Sequence, residues 1–214
     1  MVRLNKSPLP LGVTINTEQD YRKGEVIKIL AEDCHNKCYI CEDKPTTINV
    51  EHIVPHRNDS ELKFDWNNLF IACGHCNNTK GTKYNRIIDP TMLDPEDHIA
   101  LSVKITDNIT GKVRVEPLKT DVSTLETAEL LDFVYNGGTT EIKDIECANL
   151  RNSHLIPNLR MFLQYIHGFR EESDIGYDNL ICNEIRRSSA FAAFKRKIVR
   201  DDPELSVVFA DELR

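Results

Sequence analysis

Long apolar runs are missing from this chain. No uninterrupted stretch approaches the ~18 residues of a membrane-spanning helix, which excludes an integral membrane protein built on such helices. The opening Met1-Val2-Arg3-Leu4-Asn5-Lys6-Ser7-Pro8 has no apolar segment behind its charges, so export by a signal peptide is not expected and a cytoplasmic location is. No G-x-x-x-x-G-K-[ST] occurs, so the chain does not look like a nucleotide hydrolase. Positive charge is also scarce: 27 Lys and Arg against 34 Asp and Glu leave −7, which at first sight argues against a nucleic-acid partner. With 40% hydrophobic and 29% charged residues in 214, the chain can nonetheless bury the core of one large domain or two small ones.

Cysteine, by contrast, is plentiful. The seven stand at positions 34, 38, 41, 73, 76, 147 and 182. An odd number without a signal peptide fits reduced thiols or metal ligands better than a disulfide framework. Four of them form Cys38-Tyr39-Ile40-Cys41 and Cys73-Gly74-His75-Cys76. Two such knuckles can aim four thiolates at one tetrahedral Zn²⁺, with Zn–S distances of ~2.3 Å. The plainer reading is a set of buried free cysteines acting as small hydrophobes. A thioredoxin-type pair does not fit, because neither knuckle lies in a βαβ pattern. Cys34 and His35 are near enough to the first knuckle to serve as substitute ligands, and Cys147 and Cys182 have no assigned role.

Between and after the knuckles the chain reads Val50-Glu51-His52-Ile53-Val54-Pro55-His56, then Asp65-Trp66-Asn67-Asn68-Leu69-Phe70-Ile71-Ala72, then Asn77-Asn78-Thr79-Lys80-Gly81. A structural zinc ribbon needs none of the Glu-His pair, the Asn before an apolar strand, or the Asn after the last cysteine. The order C-x-x-C, Glu-His-Ile-x-Pro, Asn-Leu, C-x-x-C-Asn-x-x-Lys over residues 38–83 resembles the HNH nucleases, whose fold is a ββα-metal finger. The Trp66-Asn67-Asn68-Leu69 step and the downstream Asp89-Pro90 and Asp94-Pro95 are similar to the HNH nucleases of bacterial Septu and related retron-linked defence systems.

That resemblance implies metal-dependent hydrolysis of phosphodiesters, leaving 5′-phosphate and 3′-hydroxyl ends. His52 matches the general base, for which an imidazole suits neutral pH. Glu51 and Asn77 match the oxygen ligands of a hard catalytic ion, Mg²⁺ or Mn²⁺. Asn68 matches the Asn whose carbonyl orients the imidazole, with Asn67 as its rival. Asn77 can alternatively cap the helix after the knuckle, and it stands where many relatives carry His, a stronger ligand. Lys80, Lys83 and Arg86 are candidate nucleic-acid contacts. The resemblance also implies a PtuA-like ATPase subunit as partner. DNA is the expected substrate, with RNA as the alternative and a non-catalytic zinc-binding interaction module as the alternative of another class.

Two other histidines compete for roles. His52 and His56 have the spacing of a helical metal pair, but Pro55 between them breaks a helix, so no two-His clamp is expected. His75, inside the second knuckle, reaches phosphate or is simply exposed.

The remaining segments are read from periodicity. An amphipathic helix is expected over residues 21–33 from Val26, Ile27, Leu30 and Ala31. Ile99, Leu101, Val103 and Ile105, a turn at Asp107-Asn108-Ile109-Thr110-Gly111, then Val113 and Val115 read as a hairpin. A helix from Ser123, with Glu126 at capping-box spacing, runs to Gly137-Gly138. Helix follows over 140–168, interrupted near Pro157, and over 178–200, with a last short helix after Asp202-Pro203.

The expected architecture is α+β: an N-terminal extension over 1–35, a zinc-stapled ββα-metal nuclease finger over 36–92, and a hairpin with a mostly helical region over 93–214. Charge divides along it. Residues 1–95 carry 12 basic and 13 acidic groups (−1), and residues 96–214 carry 15 and 21 (−6), which makes the helical half the candidate docking surface for the ATPase. The stretch holding Arg186, Arg187, Lys195, Arg196, Lys197 and Arg200 is either a solvated helix face or a phosphate-contacting flank.

Overall fold

A computed structural model describes residues 1–106, 110–137, 140–171 and 176–214. The chain opens in an extended arm and two helices, α1 (Glu18–Tyr21) and α2 (Gly24–Asp33). α2 buries Val26 and Leu30, the apolar positions its spacing predicts. The finger follows: β1 (Ile48–His52), α3 (Ser60–Phe64), β2 (Leu69–Cys73) and α4 (Gly74–Lys80). β1 and β2 pair antiparallel, with Glu51 opposite Phe70 and His52 opposite Leu69.

The hairpin appears as β3 (Ile99–Ile105) and β4 (Gly111–Pro117), antiparallel with Val103 opposite Val113. Residues 107–109 of its expected turn lie outside the described residues, as does Gly138. α5 (Val122–Asn136) begins two residues earlier than the Ser123/Glu126 pattern suggests. Its N-cap is Asp121, whose carboxylate accepts the Thr124 N–H at 3.0 Å, and a carboxylate at that position also suits the helix dipole. α5 ends at Gly137 (φ +78°), where any Cβ would collide with Asp144.

Pro157 does not break the next helix. α6 (Glu141–Asn149) runs into a π-helical turn at Leu150–Leu155 and then α7 (Ile156–Glu171). The wider turn clears the carbonyl that a proline ring would strike in an α-helix, and no donor is demanded of its nitrogen. The expected helix over 178–200 is in fact two, α8 (Tyr177–Ile185) and α9 (Ala192–Asp201), and α10 (Leu205–Val208) closes the chain. The break between α8 and α9 ends at Phe191. This residue is held left-handed at φ 53°, buried, with its N–H on the carbonyl of Glu42 at 3.2 Å.

One apolar core runs through all of this. It joins Val2 and Leu4 of the arm and Leu30 of α2 to Leu69 and Ile71 of β2, Leu131 and Tyr135 of α5, and Phe191 and Phe194 beside and within α9. A smaller core of Phe162, Ile166, Ile181, Ile185, Val199, Leu205 and Phe209 binds the last four helices to one another. Among the described residues no helix is long and apolar enough to cross a membrane.

Candidate active site and cysteine cluster

The knuckles meet because β1 and β2 are paired. Tyr39 N–H bonds to the carbonyl of Ile71 at 3.0 Å, which lays the first knuckle along β2, while Cys73 at the end of β2 caps α4 and Cys76 sits in its first turn. Cys38, Cys41, Cys73 and Cys76 place all four sulfurs within 4.8 Å of one another, and Cys41 Sγ is 3.9 Å from Cys73 Sγ. Sulfurs at ~2.3 Å from a tetrahedral zinc stand ~3.8 Å apart, so the donor set and its spacing fit Zn²⁺. Hydrogen bonds from the other three thiols hold Cys73 far below the usual thiol range, whereas those with Cys38 and Cys73 push Cys41 above it. Four sulfurs this close cannot all ionise without a cation among them.

Cys34 and His35 stand outside the cluster. Cys34 is buried, and burial pushes its thiol up to about 12. Cys147 is also buried and donates to the carbonyl of Phe133, whereas half-buried Cys182 faces Glu212. His75 turns inward rather than toward solvent phosphate: Nε2 donates to the carbonyl of Val134 at 2.8 Å and Nδ1 lies 3.1 Å from Glu146. Burial opposes its charge, but hydrogen bonds to Cys147, Val134 and Glu146 raise it to about 9.

Glu51 and His52 end β1. Glu51 is 5% exposed, and each of its oxygens has a donor: the Tyr39 hydroxyl on Oε2 at 2.7 Å and Lys80 Nζ on Oε1 at 2.8 Å. Burial pushes the carboxyl up, and Lys80 and Tyr39 pull against that. The position of Lys80 departs from the sequence expectation. It is fully buried, with a second bond to the carbonyl of His52, and makes no outward contact. The signal was present in the spacing: Lys80 is four residues after the buried Cys76, on the same face of α4.

His52 is half-buried. Its Nε2 lies 3.0 Å from the carbonyl of Lys63, which can only accept, so Nε2 carries the proton and Nδ1 presents the lone pair. Burial lowers its pKa, and the bond to Lys63 opposes that shift.

Asn68 does not touch the imidazole. Its Oδ1 accepts the Val54 N–H at 2.8 Å, and its Nδ2 donates to the carbonyls of Val54 and Leu62 at 2.9 and 2.8 Å. It therefore pins both ends of the 54–62 loop, and the next carbonyl, that of Lys63, holds His52. Asn67 is exposed. Asn77 is interior to α4 rather than its cap, since Cys73 fills that position.

The imidazole His56, set aside in the sequence because of Pro55, is brought back by the loop instead of a helix. Its ring centroid is 4.7 Å from that of His52, at 63°. Glu51, His52, Asn77 and His56 open onto one cleft of about 630 Å³, with Tyr21, Arg22 and Arg57 on its walls. The other candidate residues lie elsewhere. Lys83 pairs with Glu129 and Arg86 with Glu126, tying the end of the finger to α5. Neither charge lines the cleft.

Much of the basic stretch near α9 is internal rather than a solvated face. Lys195 and Arg196 are buried, Lys195 on Glu184 and Arg196 on Glu96 at 2.9 Å, and Arg187 and Arg200 pair with Asp94 and Glu96. Lys195 and Arg196 are thus neutralised inside the fold, where unpaired burial would be costly, while Arg186 and Arg200 stay exposed.

A tight antiparallel pair, a helix carrying two of four clustered cysteines, and a Glu-His step opening beside them describe a recognised class. Residues 32–83 match the sequence model of the HNH endonuclease family, and this segment is an HNH endonuclease domain. More particularly, the chain is similar to Septu protein PtuB of Bacillus thuringiensis, 33% identical over 127 residues that cover 55% of this chain and 48% of the relative. The chain thus spans about half the length of the curated relative it matches. No solved structure matches it.

Proposed function

We propose that this chain is a metal-dependent endonuclease that hydrolyses DNA phosphodiester bonds, in the cytoplasm, as the nuclease of an anti-phage defence complex with an ATPase subunit. The carrying observation is the cleft shared by Glu51, His52 and Asn77 within the HNH domain. In this reading Cys38, Cys41, Cys73 and Cys76 hold a structural zinc. Glu51 and the Asn77 amide offer oxygens to Mg²⁺ or Mn²⁺, a donor set that fits a hard cation. Once bound there, such an ion supplies Lewis acidity toward the phosphate and the departing oxygen.

The chain's own residues do the rest. The Lys63 carbonyl fixes the tautomer of His52, leaving Nδ1 as the acceptor for a water proton. The water oxygen attacks phosphorus in line as Nδ1 takes its proton, and the bond from phosphorus to the 3′ oxygen breaks. The 3′ oxygen gains a proton from solvent, and the imidazolium then returns its own to solvent. Lys80 and Tyr39 oppose the burial that pushes the Glu51 carboxyl up. Lys83 and Arg86, each paired to an acid of α5, contribute little to DNA affinity, which supports dependence on a partner for loading.

The test replaces His52 with Ala and measures cleavage of DNA and RNA with Mg²⁺ or Mn²⁺, with and without the ATPase. Loss of cleavage in a folded, zinc-loaded His52→Ala protein is expected, and full activity would overturn the mechanism. Equal cutting of RNA by the wild type would overturn the substrate. Failure of the full chain to copurify with the ATPase would overturn the partner.

A further inference from the structure

The hydrogen bonding around His56 restricts what that ring can offer the cleft. Its Nδ1 accepts the backbone N–H of Asn58 at 3.0 Å. A backbone N–H only donates, so Nδ1 cannot carry a proton without setting two donors against each other. The proton of the neutral ring is therefore on Nε2. This excludes Nε2 as a metal ligand while the Asn58 bond stands, and it excludes the ring as a base. What His56 can do is donate.

The contact is built at a cost. Arg57 and Asn58 are both left-handed, at φ 45° and 69°, and neither is glycine. Such conformations persist where the surroundings impose them, and they collect at functional sites. Here the strained pair turns the Asn58 N–H back onto His56, and Arg57 is anchored by a bond to the carbonyl of Thr82 at 3.2 Å. The product is a pair of imidazoles 4.7 Å apart with opposite offerings, a lone pair on His52 Nδ1 and an N–H on His56 Nε2.

We infer that His56 is a phosphate-binding residue of this cleft, donating its Nε2–H to a non-bridging oxygen of the scissile phosphodiester while remaining neutral, beside the charge of Arg57. The identity of the phosphate rests on the nuclease reading; the donor character of the ring does not. His56 gives up no proton in the reaction. Its contribution is a fixed donor where negative charge accumulates, and losing one such donor commonly costs ~100-fold in kcat.

The test uses the full-length, zinc-loaded chain. The ¹⁵N spectrum of its imidazoles should show His56 protonated on Nε2, and the dinucleotide thymidylyl-thymidine should shift that N–H downfield. A ring protonated on Nδ1, or an N–H unmoved at saturating dinucleotide, would overturn the inference. In parallel, His56→Ala should cut DNA ~100-fold more slowly with zinc content unchanged, and His56→Gln, which restores an N–H donor, should recover much of the loss. A His56→Ala protein that cuts like the wild type would also overturn it. If the wild type cuts no nucleic acid yet the dinucleotide shifts His56, the nuclease reading fails and the phosphate site stands.

Discussion

Lys80 Nζ lies 2.8 Å from Glu51 Oε1, and both side chains are withdrawn from solvent. The pair joins the end of α4 to the end of β1 behind the cleft, so it is part of what sets the finger's two faces together. Removing one partner of a buried pair leaves the other as an uncompensated charge. Lys80→Met should therefore destabilise the chain by ~3–5 kcal/mol in denaturant unfolding. The double variant with Glu51→Gln should regain most of that loss, because the stranded carboxylate is gone. Two single-variant costs that simply add would show that the pair is not coupled.

The cysteine cluster should bind one zinc per chain, and its removal should unfold the finger as well as silence it. Structural zinc in such sites contributes ~10 kcal/mol or more to folding. A strong chelator, or Cys41→Ser, is expected to collapse the thermal transition, while Cys182→Ser should leave both metal content and melting unchanged. Metal analysis alongside calorimetry checks this. An unaltered melt after complete zinc removal would contradict it.

Asn68 and Asn67 should separate cleanly. Asn68→Ala removes a buried side chain that bonds the N–H of Val54 and the carbonyls of Val54 and Leu62, at a cost of ~1–3 kcal/mol. Cleavage should fall with it, because the loop that aims the Lys63 carbonyl at His52 is released. Asn67→Ala, at an exposed position, should change stability by less than ~0.5 kcal/mol. Comparable losses in the two variants would refute this assignment.

Lys6 gives a pH signature. Its ammonium bonds to the carbonyl of Leu69 and lies over the rings of Trp66 and Phe70, at 4.5 and 4.6 Å. Burial lowers its pKa from 10.5 to about 8. Between those values the unfolded chain holds a proton that the folded one has released, so stability rises with pH through this window, by ~3 kcal/mol at most. Below pH 8 both states are charged and the cost of burial is felt in full. Lys6→Met should lose this rise, visible as the pH-dependent difference between the two unfolding curves.

The parts of the fold written in local pattern were readable from the sequence: the paired knuckles, the alternation of β3 and β4, the apolar stripe of α2. The readings that failed depend on what the chain meets at long range. Asn68 finds carbonyls on a loop whose path no periodicity encodes. Lys195 and Arg196 find Glu184 and Glu96, the latter a hundred residues away in sequence for Arg196, so two cations of a helix that looks solvated are interior. Pro55 does keep His52 and His56 off one helix, but a turn brings their rings to 4.7 Å, which residue spacing does not encode. Tyr39, a spacer within the first knuckle, carried no sequence signal of its bond to Glu51.

The hydroxyl of Tyr135 on α5 donates to the carbonyl of Cys41 at 2.7 Å, and His75 in the other knuckle donates to the carbonyl of Val134, the neighbouring residue of α5. Each knuckle is thus grasped by the same turn of the same helix. The cutting end and the helical end share no pliable joint at this seam. A finger spliced out at its sequence borders would arrive without the clasp around its metal. Conversely, a push applied to α5 reaches the ligand-bearing knuckles through single hydrogen bonds, with nothing between to absorb it.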